Sequence, residues 1–290
     1  MSGQSAFSAD ELERLGLSQV GGRPWFGRYL GEVWRRREFI QALARFRLEA
    51  ENGRNRLGMG WVVLKPLLNA GVYGLVFGFL LQTSKGVSDF VAFLVIGVLM
   101  FEFFSTCFTT GAKSITSNAA LVQSLSFPRM SLPLALVAQR FMQFVPMVFI
   151  MMVTALAFGN VPDVRWLLLV PLTLLFTVFN TGLTLITARL TVHFRDLTQL
   201  LPFVSRFFFY TSGIFYSIDE RFSEGSLFRS IADAQPIHEF LSLGRAILLD
   251  APEYAMPWHF WGYAAAWSVV VLVVGAVFFW AAEERYGRTD

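Results

Sequence analysis

Hydrophobic positions are sparse along the first sixty residues and then gather into six long runs. These are roughly Trp61–Leu81, Phe90–Gly111, Leu132–Phe158, Trp166–Ala188, Leu197–Ile218 and Trp258–Ala281. A helix rises about 1.5 Å per residue, so about 20 apolar residues cross about 30 Å of hydrocarbon. Each run meets that length and predicts a transmembrane helix. The fifth carries Pro202 and Arg206 and is the least regular. The pattern divides the chain into a polar region, residues 1–60, a membrane domain, residues 61–281, and a tail, residues 282–290. The opening stretch MSGQSAFSADELERLGLSQ is polar and acidic, so no signal peptide is expected.

Three other segments have helical patterning. In Val33–Glu51, Phe39, Leu43, Phe46 and Ala50 fall on one face, with Arg37, Gln41, Arg45 and Glu49 away from it. That predicts a basic amphipathic helix lying flat in the inner membrane interface, although Leu48 sits on its polar side. Asn118–Leu125 predicts a short helix, with Asn118 as N-cap and Pro128 beyond its end. Residues 219–257 are divided by Pro236. After it, Ile237, Phe240, Leu241, Gly244 and Leu248 share a face, which predicts two short amphipathic helices at the outer surface.

Composition agrees with the pattern. Hydrophobic residues make up 54%, aromatics 16% and charged residues 16%, where a soluble domain carries about 25% charged. Phe alone contributes 31 of the 290 residues, and mean hydropathy is +0.51. A disordered chain, a disulfide scaffold and most soluble enzymes are excluded. The single Cys107 leaves no intramolecular disulfide and reads as a small buried apolar residue. Basic residues set the orientation. Residues 1–60 hold ten, and the 112–131 loop, the 189–196 loop and the tail hold two each. The intervening loops hold only Lys85, Arg165, Arg221, Arg229 and Arg245. Both termini are therefore expected in the cytoplasm. The outer 219–257 segment is acidic, with Asp219, Glu220, Glu224, Asp233, Glu239, Asp250 and Glu253.

The chemistry of the chain is thin. No Gly-Lys-Ser/Thr occurs, so no phosphate-binding loop is expected. The three His residues (His193, His238, His259) stand at no metal-ligand spacing, and no metal site is expected. Among the ionisable residues inside the runs are Glu102, Arg140 and Arg206, and one acid is too little for an ion-coupled pathway. Glu102 has a natural counter-charge in Arg140, because an unpaired buried charge would neutralise. The fifth run is crowded with Phe203, Phe207, Phe208, Phe209, Tyr210, Phe215 and Tyr216, and Phe203, Phe207 and Tyr210 share a face. Such rings serve helix packing and interface anchoring. They would equally line a path for sugars, whose C–H faces stack weakly on aromatic rings.

Four blocks carry a family resemblance. RNRLGMGWVVLKPLL (Arg54–Leu68), NAALVQSLSFPRMSLPLA (Asn118–Ala135), VHFRDLTQLLPFV (Val192–Val204) and QPIHEFLSLGRAILL (Gln235–Leu249) resemble ABC-2-type polysaccharide export permeases. The resemblance runs from about Val33 to Arg285. It implies an all-α integral membrane protein with six transmembrane helices, cytoplasmic termini, an N-terminal interface helix and two periplasmic gate helices between helices 5 and 6. It further implies a homodimer in the bacterial plasma membrane, bound to two separate ATPase subunits that hold ATP and magnesium. This chain would then be no enzyme, would carry no cofactor and would bind no nucleic acid. Its cargo would be a lipid-linked polysaccharide, and the Arg-rich composition points to the actinobacterial branch that exports galactan.

By the same resemblance, Asn118–Leu125 is the coupling helix. The ATPase-facing residues are Asn118, Leu121, Val122, Leu125, Phe127, Arg129, Arg195 and Asp196. The first and fifth spans line the channel, with Phe203, Phe207, Tyr210, Phe215 and Tyr216 toward the glycan. Phe101-Glu102 stands where the family often has Trp-Asn. Two other readings stay open. One is an ABC-2 drug or lipid exporter. The other is a membrane glycosyl or acyl transferase built on Asp233, His238 and Glu239.

Overall fold

The computed structural model describes residues 25–53, 56–58, 60–80, 89–124, 127–218 and 226–283, and no strand occurs among them. The helices are α1 (Phe26–Arg35), α2 (Arg37–Asn52), α3 (Gly60–Tyr73), α4 (Phe90–Ala112), α5 (Ala119–Ser124), α6 (Ser131–Ala157), α7 (Leu169–His193), α8 (Leu197–Thr211), α9 (Leu227–Asp233), α10 (Pro236–Leu248) and α11 (Trp258–Trp280). A 3-10 turn, Val164–Leu168, leads into α7. Among the described residues, α4, α6, α7 with that lead, and α11 are long and apolar enough to cross a membrane.

The first and fifth apolar runs are less regular. The first is composite: α3 contains Pro66 and passes at Gly74 into a wide π-helical stretch ending at Leu80. Proline removes one ladder hydrogen bond, and a π turn absorbs an irregularity of this kind. The fifth ends sooner than its hydrophobicity predicts. Its helix stops at Thr211, about 22 Å from its start, and Gly213 then turns the chain at φ +71°.

Helix α4 is the centre. It is apolar on every side, and its buried residues run nearly continuously from Phe90 to Ala112. A helix without a polar face has to be enclosed. Helices α3, α6, α7, α8 and α10 enclose it. Phe103 stacks on Phe144 of α6 with centroids 4.5 Å apart, and Phe176 of α7 meets Phe103 edge-on at 5.5 Å. Backbone groups in hydrocarbon must be satisfied within the helix, and the hydroxyls of α7 behave likewise. Thr177, Thr181, Thr187 and Thr191 each donate to the carbonyl four residues back.

Helices α7 and α11 approach closely through paired glycines. A Cβ at Gly182 would overlap the carbonyl of Val271, and one at Gly275 would overlap the carbonyl of Gly182. Small residues at such crossings let backbones touch and packing attraction accumulate. Ser268 reinforces the crossing by donating to the Leu175 carbonyl at 2.9 Å.

The expected single amphipathic helix, Val33–Glu51, is two helices separated at Arg36. Its protein-facing side lies apart from much of the expected apolar face. Ala44 is buried, Leu43, Arg47 and Leu48 are half-buried, and Phe46 and Ala50 are exposed. Packing against α6 favours the slim Ala44 side, and Leu48 joins it, so the irregular residue of the pattern belongs to the contact.

The glycine crossing makes a direct prediction. Gly182→Ala should overpack it and lower stability by about 1–3 kcal/mol. Gly262→Ala, on the same helix pair but facing open space, should be neutral. Thermal unfolding of the two variants in detergent checks this.

Candidate functional site

The end of the bundle where the first and last described residues meet, the terminal end, is tied by one carboxylate. Tyr29 of α1 donates its hydroxyl to Glu283 Oε2 at 2.6 Å and accepts the Met130 N–H at 3.2 Å. The Arg129 N–H donates to Glu283 Oε1 at 3.0 Å, and its guanidinium donates to the Glu283 carbonyl at 2.6 Å. Tyr29, Val33, Ile115, Val122, Met130, Leu132 and Phe279 form an apolar cluster around this knot. Burial pushes the Glu283 carboxyl above the usual carboxylate range, and the bonds from Arg129 and Tyr29 pull it part of the way back. Arg129 and Met130 are thus held by residues from both ends of the described chain.

A second tie joins α2 to α6. Arg140 forms an ion pair with Glu51 at 3.2 Å and donates to Gln143 at 2.7 Å, while Gln139 donates to Glu51 at 2.7 Å. The expected Glu102–Arg140 pair is therefore absent among the described residues. Glu51 is partly exposed, so its charge loses less hydration than Glu102 would on pairing, and Arg140 turns to it.

The aromatic surface lies on α8. Phe203 is 67% exposed, Phe207 64% and Tyr210 52%, all on one side, with Arg206 also exposed. The opposite side packs on α4, where Leu201 and Ser205 are buried and the Ser205 and Ser105 hydroxyls bond at 2.8 Å. Helix α3 and the π-helical stretch that continues it, beside α8 through the Tyr73–Phe209 ring contact, expose Leu68, Val72, Leu75 and Phe79. The two faces form an apolar, aromatic-rich wall that no described residue covers.

At the far end, α9 and α10 lie over the bundle. A cavity of about 270 Å³ opens between them and the start of α11, bordered by Arg229, Asp233, His238, Ser242, Tyr254 and His259. Arg229 and His238 approach Asp233 at 3.8 and 3.9 Å. Glu239, the third residue of the transferase alternative, turns away from them into the packing. It is fully buried, and neither of its oxygens has a hydrogen-bond partner among the described residues. No group of His, Cys, Asp and Glu suited to a metal occurs among the described residues.

Comparison with known proteins agrees with this arrangement. Residues 39–249 match the ABC-2 type transporter family, which covers most of the chain. The chain belongs to the ABC-2 type transporter family. It is 28% identical over 191 residues to an O-antigen export system permease protein RfbA of Myxococcus xanthus, covering 66% of this chain and 73% of that protein. Two proteins of the same name from Klebsiella pneumoniae are 28% identical over 171 residues and 26% identical over 170 residues. These alignments cover 58% and 57% of this chain and 65% of each relative.

In this ABC-2 chain the sequence-expected residues separate into groups. Asn118 does not use its side chain as the expected N-cap. It donates to the Ser114 carbonyl at 2.8 Å and accepts from Arg47 at 3.1 Å, linking the loop to α2. Val122 is buried in the terminal cluster, facing its own chain, and Leu121 is half-buried against it. Ala119, Ala120 and Ser124 are exposed there. Leu125 lies outside the described residues. Phe127 packs its ring on Phe39 at 5.5 Å, Arg129 belongs to the Glu283 knot, and Arg195 and Asp196 are exposed at the same end.

Of the expected lining residues, Phe203, Phe207 and Tyr210 stand on the wall. Phe215 is only 3% exposed and packs against Tyr73 and Phe209, so it is core, because the chain turns inward at Gly213. Tyr216 is half-buried and donates its hydroxyl to the Tyr210 carbonyl at 3.1 Å. Cys107 is fully buried. Tyr29, Glu51 and Glu283 were missed. Nothing in the local pattern marks them, since each acts through a partner at least 70 residues away.

Glu239 yields a pH prediction. Burial, helped by the nearby Asp233 charge, pushes its carboxyl up to about 7. An acid raised in the folded state contributes stability below its unfolded value, and that contribution is lost as pH rises through about 7. Glu239→Gln should therefore raise the melting midpoint by a few degrees at pH 8 and change it little at pH 5. Melting curves at the two pH values test the sign.

Proposed function

We propose that the chain is the permease subunit of an ATP-driven exporter that moves a lipid-linked polysaccharide outward across the bacterial plasma membrane. The observation that carries this reading is the uncovered wall of α3 and α8 in a chain of this family. A polymer of hydroxyls cannot cross hydrocarbon, since each unsatisfied hydroxyl costs several kcal/mol. A wet or sugar-filled path is required, and a single chain is small for enclosing one. Two copies related by a two-fold axis would face their α3 and α8 walls toward each other, the commonest closed symmetry. Phe203, Phe207 and Tyr210 then supply weak, unselective stacking surfaces along which a glycan slides.

The remaining parts take their places around that path. In this reading α3 and α8 complete six spans, with both termini in the cytoplasm. The basic N-terminal region beside α2 favours that orientation. The terminal end would dock a separate ATPase subunit on each protomer through the exposed Ala119, Ala120 and Ser124 of α5, with Arg195 and Asp196 alongside. The Glu283 knot and the Arg47–Asn118 bond would pass its motion to α1, α2 and α11. Helices α9 and α10 would cover the outer exit. The names of the relatives, which denote O-antigen export permeases, support a glycan as the cargo.

The test is thiol accessibility along α8. Single cysteines placed from Leu201 to Thr211, in a Cys107→Ser background, should label with a hydrophilic reagent at Phe203, Phe207 and Tyr210. They should resist it at Leu201 and Ser205. Phe207→Ala and Tyr210→Ala should cut export several-fold while leaving ATPase association intact. Uniform protection of α8, with labelling on α7 or α11 instead, would overturn the assignment.

Docking has its own expected outcome. Ala120→Asp, at an exposed site on α5, should weaken co-purification with the ATPase subunit and leave membrane insertion unchanged. Undiminished co-purification would place the docking surface elsewhere.

A further inference from the structure

The contact between α10 and the end of α8 turns on one buried cation. Arg245 of α10 is 4% exposed. Its Nε donates to the Phe93 carbonyl of α4 at 3.3 Å. Its Nη1 donates to Gly213 at 2.9 Å and its Nη2 to Ile214 at 3.2 Å. The guanidinium lies on the Phe93 ring, with Cζ 3.4 Å from the centroid. None of the ion pairs among the described residues includes it.

Such an arrangement is geometrically demanding. The planar fork of an arginine fixes the directions of its donors, so three acceptors on two other segments must stand in place together. The seat is shaped for the side chain. A Cβ on Gly97 would come within 2.5 Å of Nη2, and the positive φ of Gly213 turns the chain so that two successive carbonyls face the guanidinium. Weaker contacts repeat the link nearby. The Gln235 amide reaches the Thr211 hydroxyl at 3.5 Å, and the His238 ring lies 3.4 Å from the Ser212 carbonyl. The end of α8 and the turn after it, from Thr211 to Ile214, are therefore attached to α10 and its approach.

We propose that Arg245 is a positioning residue that locks α10 to the exit end of α8, so that the outer helix and the wall of one protomer move as one body during export. The inference rests on the reading of α8 as channel wall. It means that the outer exit opens between protomers, and that α10 does not lift from its own α8. A lid hinged within the protomer would have to release three carbonyls into an apolar surrounding at every cycle.

The experiment ties the two segments covalently. Thr211→Cys and Gln235→Cys are combined in the Cys107→Ser background, in cells that carry the partner ATPase. A short bifunctional methanethiosulfonate then bridges them reversibly. Export of lipid-linked glycan should continue at no less than half its rate after bridging. Arg245→Ala and Gly97→Ala should each lower export about tenfold while ATP hydrolysis by the assembled complex persists. Bridging should restore most of the loss in Arg245→Ala, which a general folding defect would not allow. Arg245→Lys, with the charge but without the fork, should fall between parent and alanine. A block on bridging the parent that a reductant relieves would overturn the proposal, and so would unimpaired export by Arg245→Ala. If Arg245→Ala fails to accumulate, bridging in the parent decides alone. Failure of the channel reading shows separately, as absent thiol labelling of α8 in the unbridged chain.

Discussion

Helix α4 places its side chains against five neighbours at once, and the positions of those neighbours follow from how each reaches it. Its enclosure is required by its sequence, since a helix apolar on all sides has no surface to give to water. In a membrane that argument weakens, because lipid would accept the same face. Packing then decides: stacked rings such as Phe103 on Phe144 gain contact that fluid chains do not match. The helices that enclose α4 on one side only, α3 and α8, keep a second face free. The uncovered wall is thus a by-product of a full core on the other side.

Much of this was legible along the chain, and the reason is length. The four spans that fold as uninterrupted helices begin and end within a few residues of their hydrophobic runs, because nothing but hydrophobicity sets their ends. The fifth run was read too long because Phe215 and Ile218 are as apolar as a span requires. They are apolar because the chain buries them after turning at Gly213. The exposed side of α8 was visible as a spacing of aromatics, a purely local signal. Val122 was read as an outward-facing edge, since its partners Tyr29 and Met130 come from other parts of the chain. The same holds for Arg140, whose counter-charge was sought within the spans and is supplied by α2.

The two ends of the bundle are stabilised by different chemistry. At the terminal end carboxylates organise the contacts, with Glu283 gathering Tyr29 and Arg129, and Glu51 gathering Arg140, Gln139 and Gln143. Charged bonds of this kind are strong and directional, and several segments meet at each. At the far end a cation is held by carbonyls, while Glu239 is buried with neither oxygen bonded among the described residues. The first arrangement suits a surface that has to keep its shape while a partner pushes on it. The second suits a dry joint.

The threonines of α7 give this helix a mechanical character. Hydroxyls bonded to carbonyls of their own helix present only methyl groups outward, so a neighbour can shift along Thr177, Thr181, Thr187 or Thr191 without breaking a hydrogen bond. Thr184 differs, for it donates across to the Cys107 carbonyl of α4 at 3.2 Å, where Gly111 leaves room for its side chain. Toward α4, helix α7 is thus a smooth rail with Thr184 as its pin, while Ser268 and Arg189 tie its other side to α11.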